Sequence, residues 1–388
     1  MKRMFIALCT AALVVAGAAP SFAADNVEVS GQYRVRAWMN DNVGHVDDAE
    51  EDFLDQRFRV QAKFNVADGV KAVLRADIAE GTWGEDFVTG SSARPDEDHE
   101  IQIDRAFMDI DKGLWNMRIG EQFIALGIME VLDINAPAVR LGLNFDVVAP
   151  TLIYVKGDEG ASKSDDGTLN EDTDVWALNV AFGAAGFANN VIFAMQKDDT
   201  AAEAEPWVVA FSTAGKIGMV NLVSELAYFG GDNAAGIDYV GTQFFLKADA
   251  DVTDMVNVGA NFVYALGTDD ADEDQLTNLG DWDDFVIGDT NGPAATLMAT
   301  DLFDPHQLDD NAGVMGLSIF VDATPMDKLK VGGEVGYFQP EEDDVTELDD
   351  LMTFAVYAAY DIAENTTLSC TYYLSMVDSD DAADENLN

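Results

Sequence analysis

The feature that most constrains the fold of this chain is a strict alternation of apolar and polar residues in segments of about ten. In residues 27–40, Val29, Tyr33 and Val35 alternate with Arg34 and Arg36. A period of two predicts a β-strand with one apolar face. The pattern recurs to about residue 376, and acidic loops separate the segments. The sequence therefore predicts an all-β fold.

The first 23 residues have the three parts of a secretory signal peptide. Basic Lys2 and Arg3 precede an apolar run over residues 4–19, and small residues lie around Ala23. This arrangement predicts export and cleavage after Ala23. Residues 24–388 would then be the mature protein, with Cys370 as its single cysteine, so no internal disulfide is expected.

The spacing of the loops separates a soluble β-sandwich from a transmembrane barrel, which alternation alone does not do. Short links such as 67–69 and 111–113 alternate with long ones such as 82–99 and 268–310. Short periplasmic turns and long outer loops are typical of barrels in the outer membrane of Gram-negative bacteria. We therefore predict an antiparallel up-and-down transmembrane β-barrel.

The strand count is less certain than the architecture. About 17 segments precede residue 378, whereas barrels of this class have an even number, so 16 and 18 both stay open. A closing strand beyond Asn388 is one way to reach 18. Residues 268–310 are expected to form a long acidic outer loop, and 378–388 an acidic tail.

The charge of the chain restricts its partners. The chain has 72 acidic and 21 basic residues, a formal net charge of −51. Nucleic-acid binding is excluded, because phosphate recognition needs a basic surface. The acids indicate either a solvated face or a surface that attracts cations to a pore mouth.

Residues for catalysis or tight metal binding are not clustered in the sequence. His45, His99 and His306 each lie in a predicted loop without a second ligand at zinc spacing, and no catalytic motif occurs. No enzyme activity and no cofactor are therefore expected. The acidic loop runs predict only weak calcium binding, at the following residues: Asp270, Asp272, Asp274, Asp283 and Asp284.

Two segments resemble general bacterial outer-membrane porins of the trimeric Gram-negative type. Arg105-Ala106-Phe107, a turn, and a strand that ends in Gly120-Glu121-Gln122 resemble that family's hairpin between its fourth and fifth strands. Glu121 stands where the family has an arginine. Residues 138–145 and the following Ala149-Pro150 resemble the strand and turn after the family's inward-folded third loop. The chain does not end in the aromatic residue that is usual in the family.

This resemblance implies a constriction. Residues 123–137 would fold into the lumen, and Glu121, Glu130 and Asp133 would present carboxylates towards the wall. The expected basic residues of the lumen are Arg34, Arg36, Arg57, Arg59, Lys63, Lys71, Arg75, Arg105 and Arg118. Opposed charges across a narrow gap would create a transverse field. The other interpretation is that the arginines pair with acids of neighbouring strands, such as Asp77 and Asp104.

The implied function is a water-filled channel for passive diffusion of small hydrophilic solutes and ions, with attraction of cations at its mouth. The implied partners are outer-membrane lipid, lipopolysaccharide and two further copies in a homotrimer. Three alternatives stay open. These are a channel specific for carboxylated solutes, an outer-membrane hydrolase that uses His45 with Asp47 and Asp48, and an acidic extracellular adhesin or surface-layer β-protein.

Overall fold

The computed structural model describes residues 4–15, 26–41, 50–83, 101–158, 172–198, 203–270, 272–280, 312–342 and 348–379. All elements in these ranges are strands: β1 Met4–Val15, β2 Val27–Asp41, β3 Glu50–Ala67, β4 Val70–Thr82, β5 Gln102–Asp111, β6 Trp115–Leu126, β7 Leu132–Leu143, β8 Val148–Asp158, β9 Thr173–Ala184, β10 Phe187–Asp198, β11 Trp207–Ile217, β12 Val220–Asp232, β13 Asp238–Thr253, β14 Val256–Ala265, β15 Glu273–Gln275, β16 Leu279–Gly280, β17 Val314–Met326, β18 Leu329–Gln339, β19 Leu348–Ala363 and β20 Thr366–Ser379. Among those residues, no helix has the length and apolar character needed to cross a membrane.

The long strands form one antiparallel sheet in sequence order. Each strand from β2 to β14 pairs with the next, β14 pairs with β17, and the order continues to β20. β15 and β16 lie in the β14–β17 connection and add short parallel pairs to β13 and β7. The predicted all-β, up-and-down antiparallel barrel is thereby confirmed.

The predicted signal segment has a place in this sheet. β1 pairs antiparallel with both β2 and β20, which closes the sheet with 18 long strands. The 17 long strands from β2 onwards, which leave out the short β15 and β16, agree with the 17 segments counted in the sequence. Because the structure is that of the precursor sequence, cleavage after Ala23 remains a prediction.

The two faces of the wall differ in exposure, as the alternation predicts. On β10, Val191, Phe193 and Met195 are exposed, whereas Ile192 and Ala194 are buried. The same apolar outer face continues around the sheet at Val29, Phe58, Leu74, Met108, Leu152, Trp176, Phe211, Tyr228, Leu317, Val335 and Phe354. The side chains between these residues point into the lumen.

Residues 123–137, here called the inner hairpin, leave the wall. The pairing of β5 with β6 ends at Glu121, and the pairing of β7 with β8 begins at Ala138. Between these points β6 and β7 pair with each other up to Leu126 and Leu132. The segment is therefore a regular β-hairpin that projects into the lumen.

A second segment also folds inward, contrary to the expectation that residues 268–310 lie wholly outside as a loop. Leu279 donates its backbone N–H to Val131 of the inner hairpin at 3.0 Å, and Leu276 donates to Val240 at 2.7 Å. The side chain of Gln243 donates to the Thr277 carbonyl at 2.8 Å. Apolar Leu279 is buried, so this part of the acidic loop is held by its few apolar residues. Residues 281–311 lie outside the described ranges.

Most short links lie near their predicted positions, with one clear correction. Ala149 and Pro150, which the porin resemblance placed in a turn, belong to β8, and the link is formed by residues 144–147. Pro150 is accommodated in a strand, although proline cannot donate a ladder hydrogen bond. Of the predicted acidic tail, Asp378 and Ser379 continue β20, and residues 380–388 lie outside the described part of the chain.

Candidate functional site

The arginine wall is the inner surface of β2–β6. It contains Arg34 and Arg36 of β2, Arg57 and Arg59 of β3, Arg75 of β4, Arg105 of β5 and Arg118 of β6. Each lies on the lumen face of its strand, because the alternate positions carry the exposed apolar residues. Seven guanidinium groups thus line one side of the barrel.

Acids of the same wall contact six of these arginines, most of them across adjacent strands. Arg59 Nε donates to Asp77 at 2.6 Å, and the Asp77 side chain is 1% exposed. Arg36 pairs with Asp55 at 2.7 Å. The remaining pairs are Arg57–Glu80 at 3.9 Å, Arg118–Asp109 at 3.2 Å, Arg75–Asp104 and Arg105–Asp104. The charges are therefore partly neutralised within the wall, as the second interpretation of the sequence proposed.

The two predicted lysines lie towards the short turn between β3 and β4. Lys63 is half-buried opposite Val73, and Lys71 is exposed opposite Asp109. Lys63 and Lys71 therefore extend the basic surface of the arginine wall towards the predicted periplasmic end.

The inner hairpin docks on the opposite wall with its apolar face. Its buried residues are Ile124, Leu126, Met129, Val131, Leu132, Ile134 and Ala136. They pack in one cluster with lumen-facing residues of β9–β13, namely Val175, Ala177, Ile192, Ala194, Val208, Ala210, Ala227, Phe229 and Phe245. A hydrophobic core therefore fills the part of the lumen beside β9–β13.

A buried carboxylate fastens the tip of the inner hairpin to the wall. Glu225 of β12 is 0% exposed and accepts the backbone N–H groups of Ile128 at 2.7 Å and Met129 at 3.0 Å. Gly127 makes this approach possible with a φ of +89°, since a Cβ atom there would lie 2.7 Å from Glu225 Oε1. Charged acceptors of this kind make the stronger class of hydrogen bond.

The other face of the inner hairpin points away from its hydrophobic core. Phe123, Ala125, Asn135 and Pro137 are exposed on it. The guanidinium carbon of Arg105 lies 5.5 Å from the centre of the Phe123 ring, a cation–π contact. The arginine wall and this face therefore border the same remaining space.

The three predicted constriction carboxylates have different positions. Glu121 is half-buried opposite Ala106, where β6 leaves the wall. Glu130 lies in the tip of the inner hairpin with a φ of +49°. Asp133 is 6% exposed and lies beside Gly280 of β16. Asp133 therefore does not stand in a row of acids that faces the arginines. The second inward segment lies against Asp133 instead.

A cavity of about 410 Å³ lies between the inner hairpin and the walls of β7 and β9–β11. Its polar lining comes from Arg140, Asn179, Asn190 and Ser212. Arg140 was missing from the predicted lumen residues, although the alternation in residues 138–143 places it on the same face as Ala138. Within the described residues, Arg140 has no acid within the 4 Å of an ion pair.

The predicted weak calcium site is only partly within the described residues. Asp270, Asp272 and Asp274 lie before and in β15, whereas Asp283 and Asp284 lie outside those ranges. In the described part of the chain, no group of three or more His, Cys, Asp or Glu residues is arranged to hold a metal ion. His45, His99 and His306 also lie outside it.

No protein-family model matches the chain, and no curated protein matches it. Solved structures similar to the chain include the anion-selective porin of Comamonas acidovorans, at 10% identity and a TM-score of 0.49 over 97% of this chain and 99% of that one. OccK11 (OpdR) of Pseudomonas aeruginosa matches at 8% identity and a TM-score of 0.48, over 97% and 95%. The outer-membrane protein OmpT of Vibrio cholerae matches at 10% and 0.49, over 92% and 100%.

Proposed function

We propose that this chain forms an outer-membrane channel for passive diffusion of small hydrophilic solutes and ions. One observation carries the proposal: a closed sheet has an apolar outer face and a charged arginine wall inside. A soluble β-protein places these faces the other way round, with the apolar side in its core. On β2–β6, the polar face of each strand is the one that faces the lumen.

Bilayer physics explains the outer face. Exposed residues such as Trp176, Phe193 and Phe211 would form a large apolar surface in water, which monomeric soluble proteins rarely show. Hydrocarbon accepts such side chains but leaves no partner for unpaired backbone N–H and C=O groups. A sheet closed on itself meets both conditions, which favours a membrane over the adhesin alternative.

The proposed path runs between the arginine wall and the exposed face of the inner hairpin. Charged side chains and the amide of Asn135 border this space, so water and hydrated solutes are favoured in it over apolar molecules. The net charge of −51 supports attraction of cations to the channel mouth. A homotrimer in contact with lipid and lipopolysaccharide remains part of the proposal through the porin resemblance.

A channel specific for carboxylated solutes is the second candidate. Arg140 favours it, because this guanidinium borders a cavity and forms no ion pair among the described residues. The solute flux through a specific channel saturates at high solute concentration, whereas the flux through a diffusion channel does not.

Planar-bilayer recording of the purified protein tests the proposal. We expect stepwise ohmic conductance in KCl and a reversal potential under a salt gradient that favours K⁺. Saturation of the current by carboxylate salts would support the specific channel instead. A protein that stays monodisperse in water without detergent and gives no conductance would contradict both forms.

A further inference from the structure

The cavity beside the inner hairpin has lining chemistry that passive diffusion does not require. Phe123, Ile124, Leu126 and Ile192 contribute apolar surface, and Arg140 and Asn179 contribute polar groups. Its volume of about 410 Å³ lies in the range of small-molecule sites, about 300–1,000 Å³. Most of the exposed lining is polar, and such a cavity can orient a small polar ligand through its few convergent polar groups.

Arg140 supplies a free positive charge to this cavity. The other arginines of β3–β6 contact acids of their own wall, whereas Arg140 has no acid within 4 Å among the described residues. A guanidinium presents a planar fork of donors that fits a carboxylate in a bidentate manner. A carboxylate is therefore the group expected at this end.

Asn179 supplies an unsatisfied acceptor. Its Oδ1 atom is shielded from solvent and accepts no hydrogen bond within the described residues. Its neighbours in register are Ile192 of β10, whose apolar side chain cannot donate, and Thr151 of β8, whose hydroxyl makes no hydrogen bond to it. A buried acceptor left without a donor is unfavourable. A ligand that brings a hydroxyl or ammonium group would remove this cost.

The geometry points to a binding site for small carboxylates that carry a hydrogen-bond donor. The class includes 2-hydroxy acids. Their carboxylate would pair with Arg140, and their hydroxyl would donate to Asn179 Oδ1. The site rests on the proposed channel function, since solutes reach it from the lumen.

Calorimetry with the full-length protein in detergent tests the inference. The probe is 2-hydroxy-4-methylpentanoate, and the matched probe without the hydroxyl is 4-methylpentanoate. We expect the hydroxy acid to bind about tenfold more tightly, because one satisfied hydrogen bond contributes about 1.4 kcal/mol. Arg140→Gln should weaken both probes, and Asn179→Leu should abolish the difference between them.

Lys247→Gln is the matched control, because Lys247 is a lumen cation on β13 that does not line this cavity. It should leave both affinities unchanged. Equal weakening by Lys247→Gln and Arg140→Gln would overturn the site, since it would indicate attraction by the general field. No heat with either probe would also overturn it.

Conductance recorded on the same preparation separates this inference from the proposed function. Conductance without binding would contradict only the site. Binding without conductance would contradict only the channel.

Discussion

The carboxylate of Glu225 lies 3.0 Å from the backbone nitrogen of Met129, although the two residues are 96 positions apart in the chain. Its second oxygen accepts the N–H of Ile128. This pair of hydrogen bonds joins the tip of the inner hairpin to β12 and fixes how far the hairpin extends across the lumen. The free space beside the arginine wall depends on it.

We expect Glu225→Ala to release the tip of the inner hairpin. Two backbone N–H groups lose a charged acceptor, which weakens docking by about 3 kcal/mol. Limited proteolysis should then cut within residues 127–131, and the single-channel current should become noisier. Glu334→Ala is the matched control, because Glu334 is also buried but bonds to Asn261 of β14. Equal cleavage in both variants would show that Glu225 does not hold the hairpin.

The ion pair of Arg59 with Asp77 predicts a change in ion preference. Replacing Asp77 with Asn leaves the positive charge of Arg59 uncompensated. The permeability of anions relative to cations should therefore rise. Two unit charges about 4 Å apart in water interact with an energy of about 1 kcal/mol, which corresponds to about a fivefold change in the permeability ratio. The measurement is the reversal potential in a KCl gradient.

Replacing Arg57 and Arg59 with Gln should shift the same reversal potential in the opposite direction, towards K⁺. Asp361→Asn serves as the control, since Asp361 is an exposed acid near the β19–β20 turn. If the ratio stays constant in both the Asp77 and the arginine variants, the arginine wall does not act on permeant ions.

The amino terminus gives a third prediction. We expect the intact mass and terminal sequence of the purified protein to begin at Ala24, because residues 1–23 have the pattern of a cleaved signal. β2 and β20 both pair antiparallel with β1, so they run parallel to each other and would have to pair once β1 is removed. A protein that still begins at Met1 would instead retain β1 as a strand of the wall.

The strand faces and the order of the links could be predicted from the sequence, because each depends on residues that are close together in the chain. Alternation predicted the two faces of strands such as β3, where Arg57 and Arg59 face the lumen and Phe58 and Val60 face outward. Loop spacing gave the order of short and long links. The acids paired with the arginines, such as Asp77, lie in register on the adjacent strand. That pairing was one of two open interpretations.

The long-range contacts could not be predicted in this way. Residues 123–137 were expected to fold inward through the porin resemblance, but their apolar docking depends on strands β9–β13. The parallel pairing of Leu279 with Leu132 joins distant segments with no periodic signal. An acid in the apolar segment of β12, Glu225, was the available sign that something polar had to reach it, because a buried carboxylate needs partners.

Thiol accessibility in single channels tests most directly which face of the wall is wet. In a background with Cys9 and Cys370 replaced by Ala, Arg34→Cys places a thiol in the lumen and Phe193→Cys places one on the outer face. A charged, water-soluble methanethiosulfonate added during recording should lower the conductance of Arg34→Cys in a step and leave Phe193→Cys unchanged. Modification of Phe193→Cys with an unreactive Arg34→Cys would contradict the account.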